Sequence, residues 1–190
     1  MSINMNGNDK DTSYRYTMPA FNVQVAGKGN GIYTIFNNIN DISKAINHPS
    51  EIILKYIAAV TGSNYNQSKN TITGTHTPDE LKQLILMYIK NLVMCQVCNN
   101  PETIPEVEGT KKNVKLKLCC SACKNVSNVT NSNKHIDKGI DIIIKYLNSG
   151  GTWKTTKGTM VQISDSSDFK TEPTFETLEE NDSEEFNPFG

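Results

Sequence analysis

Residues 117–123 read KLCCSAC, and together with CQVC at residues 95–98 they decide the fold of the second half of the chain. Each stretch holds two cysteines separated by two residues, namely Cys95 and Cys98, and Cys120 and Cys123. Two such pairs, each on a tight turn, can offer four thiolates to one tetrahedral Zn²⁺ ion. The spacing predicts a zinc ribbon with one structural metal, because four thiolates leave no open coordination position for a water nucleophile.

The fifth cysteine, Cys119, stands next to Cys120 and could replace it as a ligand. That choice would leave three residues between the two thiols of the second pair instead of two. Alternation in KLKL, residues 115–118, indicates a strand running into the turn, and the two-residue spacing fits that turn better. A redox-active or merely buried set of thiols is the alternative interpretation of the cysteines. Metal is favoured because cytosolic thiols stay reduced.

Composition predicts a cytoplasmic protein with no membrane partner. The chain has 190 residues, 36% of them hydrophobic, and a mean hydropathy of -0.47. It holds no run of 18 apolar residues, and its polar first 16 residues do not resemble a secretory signal. We expect a monomer.

Hydrophobic patterning predicts an α+β fold, a small mixed α/β domain followed by the four-cysteine ribbon. Alternation from Phe21 to Val25, the break GKGNG at 27–31 and a second strand at 32–36 indicate a hairpin. A short strand is predicted at 71–73. Helices are predicted over 41–47, from a Ser50 cap to Gly62, from Pro78 (after the Thr77 cap) to Leu92, and over 136–147. The predicted parts are a flexible arm (1–20), the α+β domain (21–93), the ribbon (94–134), a C-terminal helix (135–150) and an acidic disordered tail (151–190).

Charge is distributed unevenly along the chain. Residues 1–159 hold 18 Lys and Arg against 11 Asp and Glu, whereas residues 160–190 hold one Lys against nine acidic residues. A basic body fits contact with RNA or a ribosome surface, although ordinary solvated lysines give the same count. The acidic tail, with Phe169, Phe175, Phe186 and Phe189, is typical of a disordered segment that binds partners.

Three motifs carry a resemblance to a known family. SYRYTMP at 13–19, GKGNGI at 27–32 and CQVCNNPET at 95–103 together resemble the eukaryotic translation initiation factor 5 family, over roughly residues 13–147. The beta subunits of initiation factor 2 share the same two modules, but the YRY-x-MP segment favours factor 5.

The resemblance implies a GTPase-activating protein for the gamma subunit of initiation factor 2 within the scanning preinitiation complex. It implies that Arg15 is an arginine finger, that Lys55 supports it, and that the GTP belongs to the partner. The implied partners are the gamma and beta subunits of initiation factor 2, initiator tRNA and the small ribosomal subunit. The chain would then be an activator in trans and no enzyme itself. A non-catalytic ribosome- and tRNA-binding module and a beta-like subunit are the alternatives.

The chain departs from the family in two places. A family lysine after GKGNGI corresponds to Tyr33, which removes a positive charge from the hairpin. The family's carboxy-terminal helical-repeat domain has no room in 190 residues, and the acidic-aromatic tail is a candidate minimal substitute that binds the beta subunit. A purely solvating tail is the alternative.

The glycine-rich loop is a further candidate site, for nucleotide or tRNA. Its residues are Gly27, Lys28, Gly29, Asn30, Gly31, Ile32, Tyr33 and Thr34. A P-loop requires G-x-x-x-x-G-K-[ST] between a strand and a helix, whereas here a strand follows, so a hairpin tip that approaches tRNA is favoured. His48, His76 and His135 are scattered and are predicted to lie at the surface or at helix ends.

Overall fold

The structure is a computed structural model that describes residues 2–109, 114–130, 133–154 and 160–161. Its helices are α1 (Ile39–Ile46), α2 (Ser50–Thr61), α3 (Pro78–Leu92) and α4 (Lys134–Asn148). Its strands are β1 (Ser2–Asn4), β2 (Thr17–Pro19), β3 (Val23–Ala26), β4 (Tyr33–Phe36), β5 (Tyr65–Asn66), β6 (Thr71–Thr73), β7 (Thr103–Glu108), β8 (Lys115–Cys120), β9 (Val126–Asn128), β10 (Trp153–Lys154) and β11 (Met160–Val161). The predicted class, a mixed α/β domain followed by a module with four clustered cysteines, is confirmed.

The first domain is built on a four-stranded antiparallel sheet in the order β3-β4-β6-β5. β3 and β4 form the predicted hairpin, with Val23 opposite Phe36. Gly27 opens its tip at φ +94°, and a Cβ there would lie 2.1 Å from the carbonyl oxygen of Gly31. The tip therefore requires glycine at this position, because any other side chain would collide with the backbone.

The first three helices supply most of the core. α3 begins as predicted, with Pro78 as its first residue and the Thr77 hydroxyl accepting a hydrogen bond from the Glu80 N–H at 3.3 Å. Its apolar residues at helical spacing form a stripe in which Leu84 is half-buried and the others are fully buried: Leu81, Ile85, Tyr88, Ile89 and Leu92. Within the described ranges, no helix is both long and apolar enough to cross a membrane.

The start of α2 differs from the expectation that Ser50 caps it. Ser50 is the first helical residue, and Pro49 occupies the cap position without a side-chain hydrogen bond. Its end is as predicted, because Gly62 follows the last residue in the left-handed region, with φ 72°. The helix presents a wide apolar surface whose buried members are Ile52, Ile53, Leu54, Tyr56, Ile57 and Ala58.

The cysteine-bearing module is a three-stranded antiparallel sheet in the order β7-β8-β9. α4 contacts both modules, because it lies against α2, α3 and β7. Gly139 lies where α4 crosses, since a Cβ on it would be 2.4 Å from Leu92 Cδ1 and 3.4 Å from the Tyr56 ring. The close approach of α4 therefore depends on the missing side chain.

The arm predicted to be flexible, residues 1–20, packs on the body in the part that the structure describes. β1 pairs antiparallel with β2, which places Ile3 opposite Met18. Both side chains are buried, and so is Met5. The sequence carries a short signal for this packing, because Met1, Ile3 and Met5 alternate with Ser2, Asn4 and Asn6, and the prediction of a flexible arm overlooked it.

The predicted acidic tail, residues 151–190, lies largely outside the described residues. Its first part is structured, however, because β10 pairs with β11 and Trp153 is buried with its ring 4.5 Å from that of His48. His48, between α1 and α2, and His76, just before α3, lie at helix ends as predicted, but both are buried and neither lies at the surface. Ordered structure continues past residue 150, and the other domain boundaries stay predictions.

Candidate metal centre and exposed arginine

The four cysteines of the two predicted pairs meet in space. The Sγ atoms of Cys95, Cys98, Cys120 and Cys123 lie within 4.8 Å of one another. The Cys95–Cys123 and Cys98–Cys120 sulfur pairs are each 3.6 Å apart. A tetrahedral zinc–thiolate site has Zn–S bonds of about 2.3 Å, which sets the sulfur–sulfur separation at about 3.8 Å. The cluster can therefore hold a metal ion, and its spacing fits tetrahedral thiolate coordination.

Two equivalent backbone turns bring these sulfurs together. In the first turn, the Asn99 N–H donates to the Cys95 carbonyl at 3.0 Å, and Asn99 has φ 55°. In the second, the Lys124 N–H donates to the Cys120 carbonyl at 2.9 Å, and Lys124 has φ 61°. Each turn thus ends in a left-handed residue directly after its second cysteine, which curls the chain so that both thiols face one point.

The surroundings of Cys95 suit a metal ligand. Burial by itself would raise the pKa of the Cys95 thiol, but the N–H groups of Cys98 and Val97 and the neighbouring thiols lower the pKa to about 7. Metal ions bind the thiolate form, so a lowered pKa reduces the cost of losing the proton. A bound ion would have four protein ligands and no open position.

Cys119 is not a member of the cluster in the described part of the chain. It lies in β8 opposite Ile104 on one side and Val126 on the other. Burial raises the pKa of its thiol to about 12, with a further contribution from Glu106. Cys119 therefore stays a protonated thiol, and the geometry favours Cys120 as the ligand.

Arg15 is exposed and lies just before β2. Its guanidinium carbon is 5.7 Å from the centroid of the Tyr16 ring, which itself contacts the Tyr14 ring edge-to-face at 6.0 Å. Among the described residues, no carboxylate lies within ion-pair distance of Arg15. Its charge is therefore available to an anionic group on a partner.

Lys55 lies on α2 and is already paired. Its Nζ is 2.5 Å from Glu51 Oε1 and 5.7 Å from the centroid of the Tyr65 ring. The hydrogen bond to Glu51 is the main reason that the pKa of Lys55 is raised, while burial opposes it. Lys55 also lines a groove of about 370 Å³ between α2 and α4, together with Lys145 and Tyr146.

The glycine-rich loop is a hairpin tip, and a single-turn 3-10 helix spans Gly29–Gly31. Tyr33, the position where the family resemblance implies a lysine, is exposed at the start of β4. Thr34 differs from the other candidate loop residues, because it is buried and its hydroxyl donates to the Gly74 carbonyl at 2.8 Å. Thr34 therefore belongs to the sheet and is not presented to a ligand.

Of the predicted site residues, the structure brings together the four cysteines. Arg15, Lys55 and the glycine-rich loop lie on three separate elements: the arm, α2 and the β3–β4 hairpin. Sequence reasoning missed Glu102, whose Oε1 accepts a hydrogen bond from the Tyr16 hydroxyl at 2.6 Å. No local pattern could signal that contact, because 86 residues separate its partners.

Comparison with known proteins identifies the family of the described core. Residues 6–126 match the family described as a domain found in initiation factors 2B and 5. The chain is 39% identical over 127 residues to eukaryotic translation initiation factor 5 of Saccharomyces cerevisiae, which covers 65% of this chain and 31% of that protein. It is 37% identical over 127 residues to the protein of that name from Caenorhabditis elegans, and 35% identical to the one from Mus musculus.

These matches cover 65% of this chain in each case, but only 28% of the worm protein and 29% of the mouse protein. The chain therefore spans less than a third of the length of the curated relatives it matches. The family match, in contrast, includes the arm with Arg15, the mixed α/β domain and all four cysteines of the cluster. The chain belongs to the family of proteins that contain the domain found in initiation factors 2B and 5.

Proposed function

We propose that this chain acts in translation initiation as a GTPase-activating protein that stimulates GTP hydrolysis by the gamma subunit of initiation factor 2 in the preinitiation complex. Two kinds of observation support the proposal. Its relatives are eukaryotic translation initiation factors 5, and the matched region includes the arginine that the family resemblance singles out. The GTP belongs to the partner, and this chain contributes a side chain to it.

The observation that carries the proposal is the state of Arg15, which is exposed and has no carboxylate partner among the described residues. Charge accumulates on the transferring phosphoryl group and the leaving oxygen during GTP hydrolysis. A guanidinium is always charged and presents a planar fork of donors, so it can neutralise that charge. An arginine supplied in trans accelerates hydrolysis by about 10³–10⁵.

The cysteine cluster has a structural part in this proposal. We assign Zn²⁺ to it, because the four thiolates and their spacing match that ion, and the ion stabilises a module with a small core. Cys95 and Cys98 would hold the ion from the loop after α3, Cys120 from the end of β8 and Cys123 from the turn that follows β8. No step of the GTPase reaction passes through it.

In the proposal Lys55 supports the action of Arg15, whereas Tyr33 weakens the contact that the hairpin makes with its partner. Glu51 lines the same groove and pairs with Lys55, so Lys145 supplies the net positive charge with which this face of the α2–α4 groove suits a phosphate backbone or an acidic surface. Tyr33 presents a phenol at the hairpin where the resemblance expects a lysine. We infer that the hairpin contacts initiator tRNA or the small ribosomal subunit without that charge.

A second candidate is a module that occupies the decoding region without activating the GTPase. Tyr33 is the observation that favours it, because the loss of a family lysine removes one positive charge from the complex. A third candidate, a beta-like subunit, predicts stable co-purification with the gamma subunit, whereas an activator associates transiently.

A single assay separates the activator from the binding module. Single-turnover GTP hydrolysis is measured on a complex of initiation factor 2, initiator tRNA and the small ribosomal subunit, with binding of this chain measured in the same samples. The comparison uses the wild type, Arg15→Lys, and Lys10→Ala as a control that removes another exposed cation from the same arm. The activator proposal expects acceleration by the wild type and Lys10→Ala, and a large loss in Arg15→Lys, because lysine lacks the fork of donors. If all three proteins bind the complex but none of them accelerates GTP hydrolysis, the second candidate is favoured.

A further inference from the structure

We propose that Tyr16 and Glu102 are positioning residues that fix Arg15 against the cysteine module. The inference rests on the proposed function, in which Arg15 acts on the GTP of a partner, and it explains how an exposed side chain on an arm is held in a defined place. Neither residue touches the reacting atoms in this account. Both act through the backbone that carries Arg15.

The link consists of two hydrogen bonds in series. The Tyr16 hydroxyl donates to Glu102 Oε1 at 2.6 Å. The carbonyl of Glu102 in turn accepts from the Ser121 N–H at 2.8 Å. Ser121 lies between Cys120 and Cys123, so the chain of contacts runs from the residue beside Arg15 to the second cysteine turn. The first bond involves a carboxylate, and charge-assisted hydrogen bonds of this kind are short and strong.

A separate contact holds the same segment to the first domain. The N–H of Met5 donates to the carbonyl of Tyr16 at 3.1 Å, and the Met5 side chain is buried in the core. Tyr16 is therefore fixed at its backbone by the first domain and at its hydroxyl by the cysteine module. Arg15 directly precedes this doubly held residue, and its own side chain stays exposed.

The two tyrosines that flank Arg15 differ in a way that supplies a control. The bond to Glu102 is the main reason that the pKa of Tyr16 is raised, so Tyr16 remains a donor throughout the physiological range. The Tyr14 hydroxyl is buried as well, but it has no hydrogen-bond partner among the described residues. Removing the Tyr16 hydroxyl therefore breaks the link to Glu102, whereas removing the Tyr14 hydroxyl leaves that link intact.

Holding Arg15 in place matters because an arginine on a loose arm must be ordered before it can reach a phosphate. A fixed starting position avoids part of that entropy cost, and the gain appears in the rate at saturation and not in the affinity. A hydrogen bond to a charged group contributes enough free energy to change a rate by about tenfold, if all of that free energy lowers the barrier. We expect Tyr16→Phe to lower the saturating rate of hydrolysis by about that factor.

The test uses the full chain loaded with zinc and two independent readouts. The first is hydrogen–deuterium exchange of the arm in the free protein, followed at the Met5 amide. The second is the saturating rate of GTP hydrolysis on the partner complex. The variants are Tyr16→Phe and Glu102→Ala, which remove the link, Glu102→Gln, which keeps an acceptor oxygen, and Tyr14→Phe as the matched control.

We expect faster Met5 exchange and a roughly tenfold lower saturating rate in Tyr16→Phe and Glu102→Ala, with unchanged binding. Glu102→Gln is expected to restore most of both readouts, and Tyr14→Phe to match the wild type. Unchanged Met5 exchange in Tyr16→Phe, or an equal loss of rate in Tyr14→Phe, would overturn the proposal. A wild type that fails to accelerate hydrolysis would refute the proposed function instead, and the exchange data would still decide whether the link holds the arm.

Discussion

His48 is a buried residue whose surroundings affect how stability depends on pH. Its Nδ1 is 2.7 Å from the Tyr88 hydroxyl, and its ring is in edge contact with Trp153. Burial lowers the pKa of His48 to about 3. The folded protein therefore keeps this ring neutral, while the unfolded chain takes up a proton near its ordinary pKa of 6.5.

We predict that stability falls as the pH drops from about 6.5 towards 3, because in that window the unfolded state binds one more proton than the folded state at His48. The loss contributed by this residue is about 1.4 kcal/mol per pH unit. The free energy of unfolding is to be measured in urea at several pH values for the wild type and His48→Asn. We expect the free energy of unfolding to depend less steeply on pH in His48→Asn, by the amount that corresponds to one bound proton.

A matched control is His135→Asn, which removes a histidine that is only half-buried near the start of α4. Effects of acid on the metal site are common to all three proteins and cancel in the comparison. If the free energy of unfolding depends on pH equally steeply in the wild type and in His48→Asn, then the fold does not hold His48 neutral.

Single residues differ in how far the sequence could predict them. The clustering of the four cysteines was predictable, because a two-residue gap between cysteines is a local requirement of the turn that presents them. His48 was not, because its burial comes from Trp153, which follows α4 more than a hundred positions later. The Tyr16–Glu102 contact was missed for the same reason.

Among the elements, the cysteine turns support a direct prediction about metal binding. Cys120→Ser is expected to lose the bound Zn²⁺ ion, because it removes one of four thiolates, whereas Cys119→Ser is expected to bind it normally. Zinc content per chain is measured after dialysis, and amide exchange is followed in β7 and β8. Exchange in these strands should rise in Cys120→Ser, while α2 and α3 stay protected. Loss of zinc from Cys119→Ser with retention in Cys120→Ser would reverse the assignment.

The crossing of α4 over α2 and α3 supports a second prediction at this scale. Gly139→Ala places a methyl group 2.4 Å from Leu92 Cδ1, so the helices must separate or Leu92 must move. Such overpacking costs typically about 1–3 kcal/mol. The free energy of urea unfolding is expected to fall by about that amount, even though alanine favours helix formation.

Asp141→Ala is the control for Gly139→Ala, because Asp141 is exposed on the same helix. It is expected to change stability by less than about 0.5 kcal/mol. A Gly139→Ala protein as stable as the wild type would contradict the close packing of α4 on the first domain.

Elements with local signals were predicted well, and those that depend on distant partners were not. α3 carries its own start signal in Thr77 and Pro78 and its own apolar stripe, so both its beginning and its buried face were predictable. β1 carries only a short alternation around Ile3 and Met5 and β2 none, and each strand is three residues long and is stable only through its partner and the core beneath. The arm was consequently predicted to be flexible.

For the whole molecule, the division of charge raises the question of what the tail does. Its predicted disorder concerns residues outside the described ranges, but its composition is certain: nine acidic residues against one lysine from residue 160 onwards. We propose that the tail binds lysine-rich segments of the beta subunit of initiation factor 2.

Deletion of residues 162–190 is therefore predicted to weaken affinity for the beta subunit, and to do so more at low ionic strength, since salt screens exposed charges. Affinity is measured by titration at two salt concentrations. A full-length control replaces the four tail phenylalanines by alanine and keeps every charge, which separates apolar contacts from charge. Unchanged affinity after deletion would leave the tail a solvating segment.

The relative placement of the modules follows from contacts that only the folded molecule shows. α4 touches both modules, Trp153 closes over the first domain, and Tyr16 joins the arm to the cysteine module. The motifs predicted the modules and the family, but not this arrangement. It is the arrangement that leaves Arg15 exposed on a packed arm.

The most direct test of the account is the ratio of single-turnover GTP hydrolysis rates with saturating wild type and saturating Arg15→Ala, on the complex of initiation factor 2, initiator tRNA and the small ribosomal subunit. We predict that the wild type accelerates hydrolysis and that the variant loses about 10³-fold or more of that acceleration while still binding. Equal rates with both proteins bound would contradict the role of Arg15 and, with it, the proposed activity of the chain.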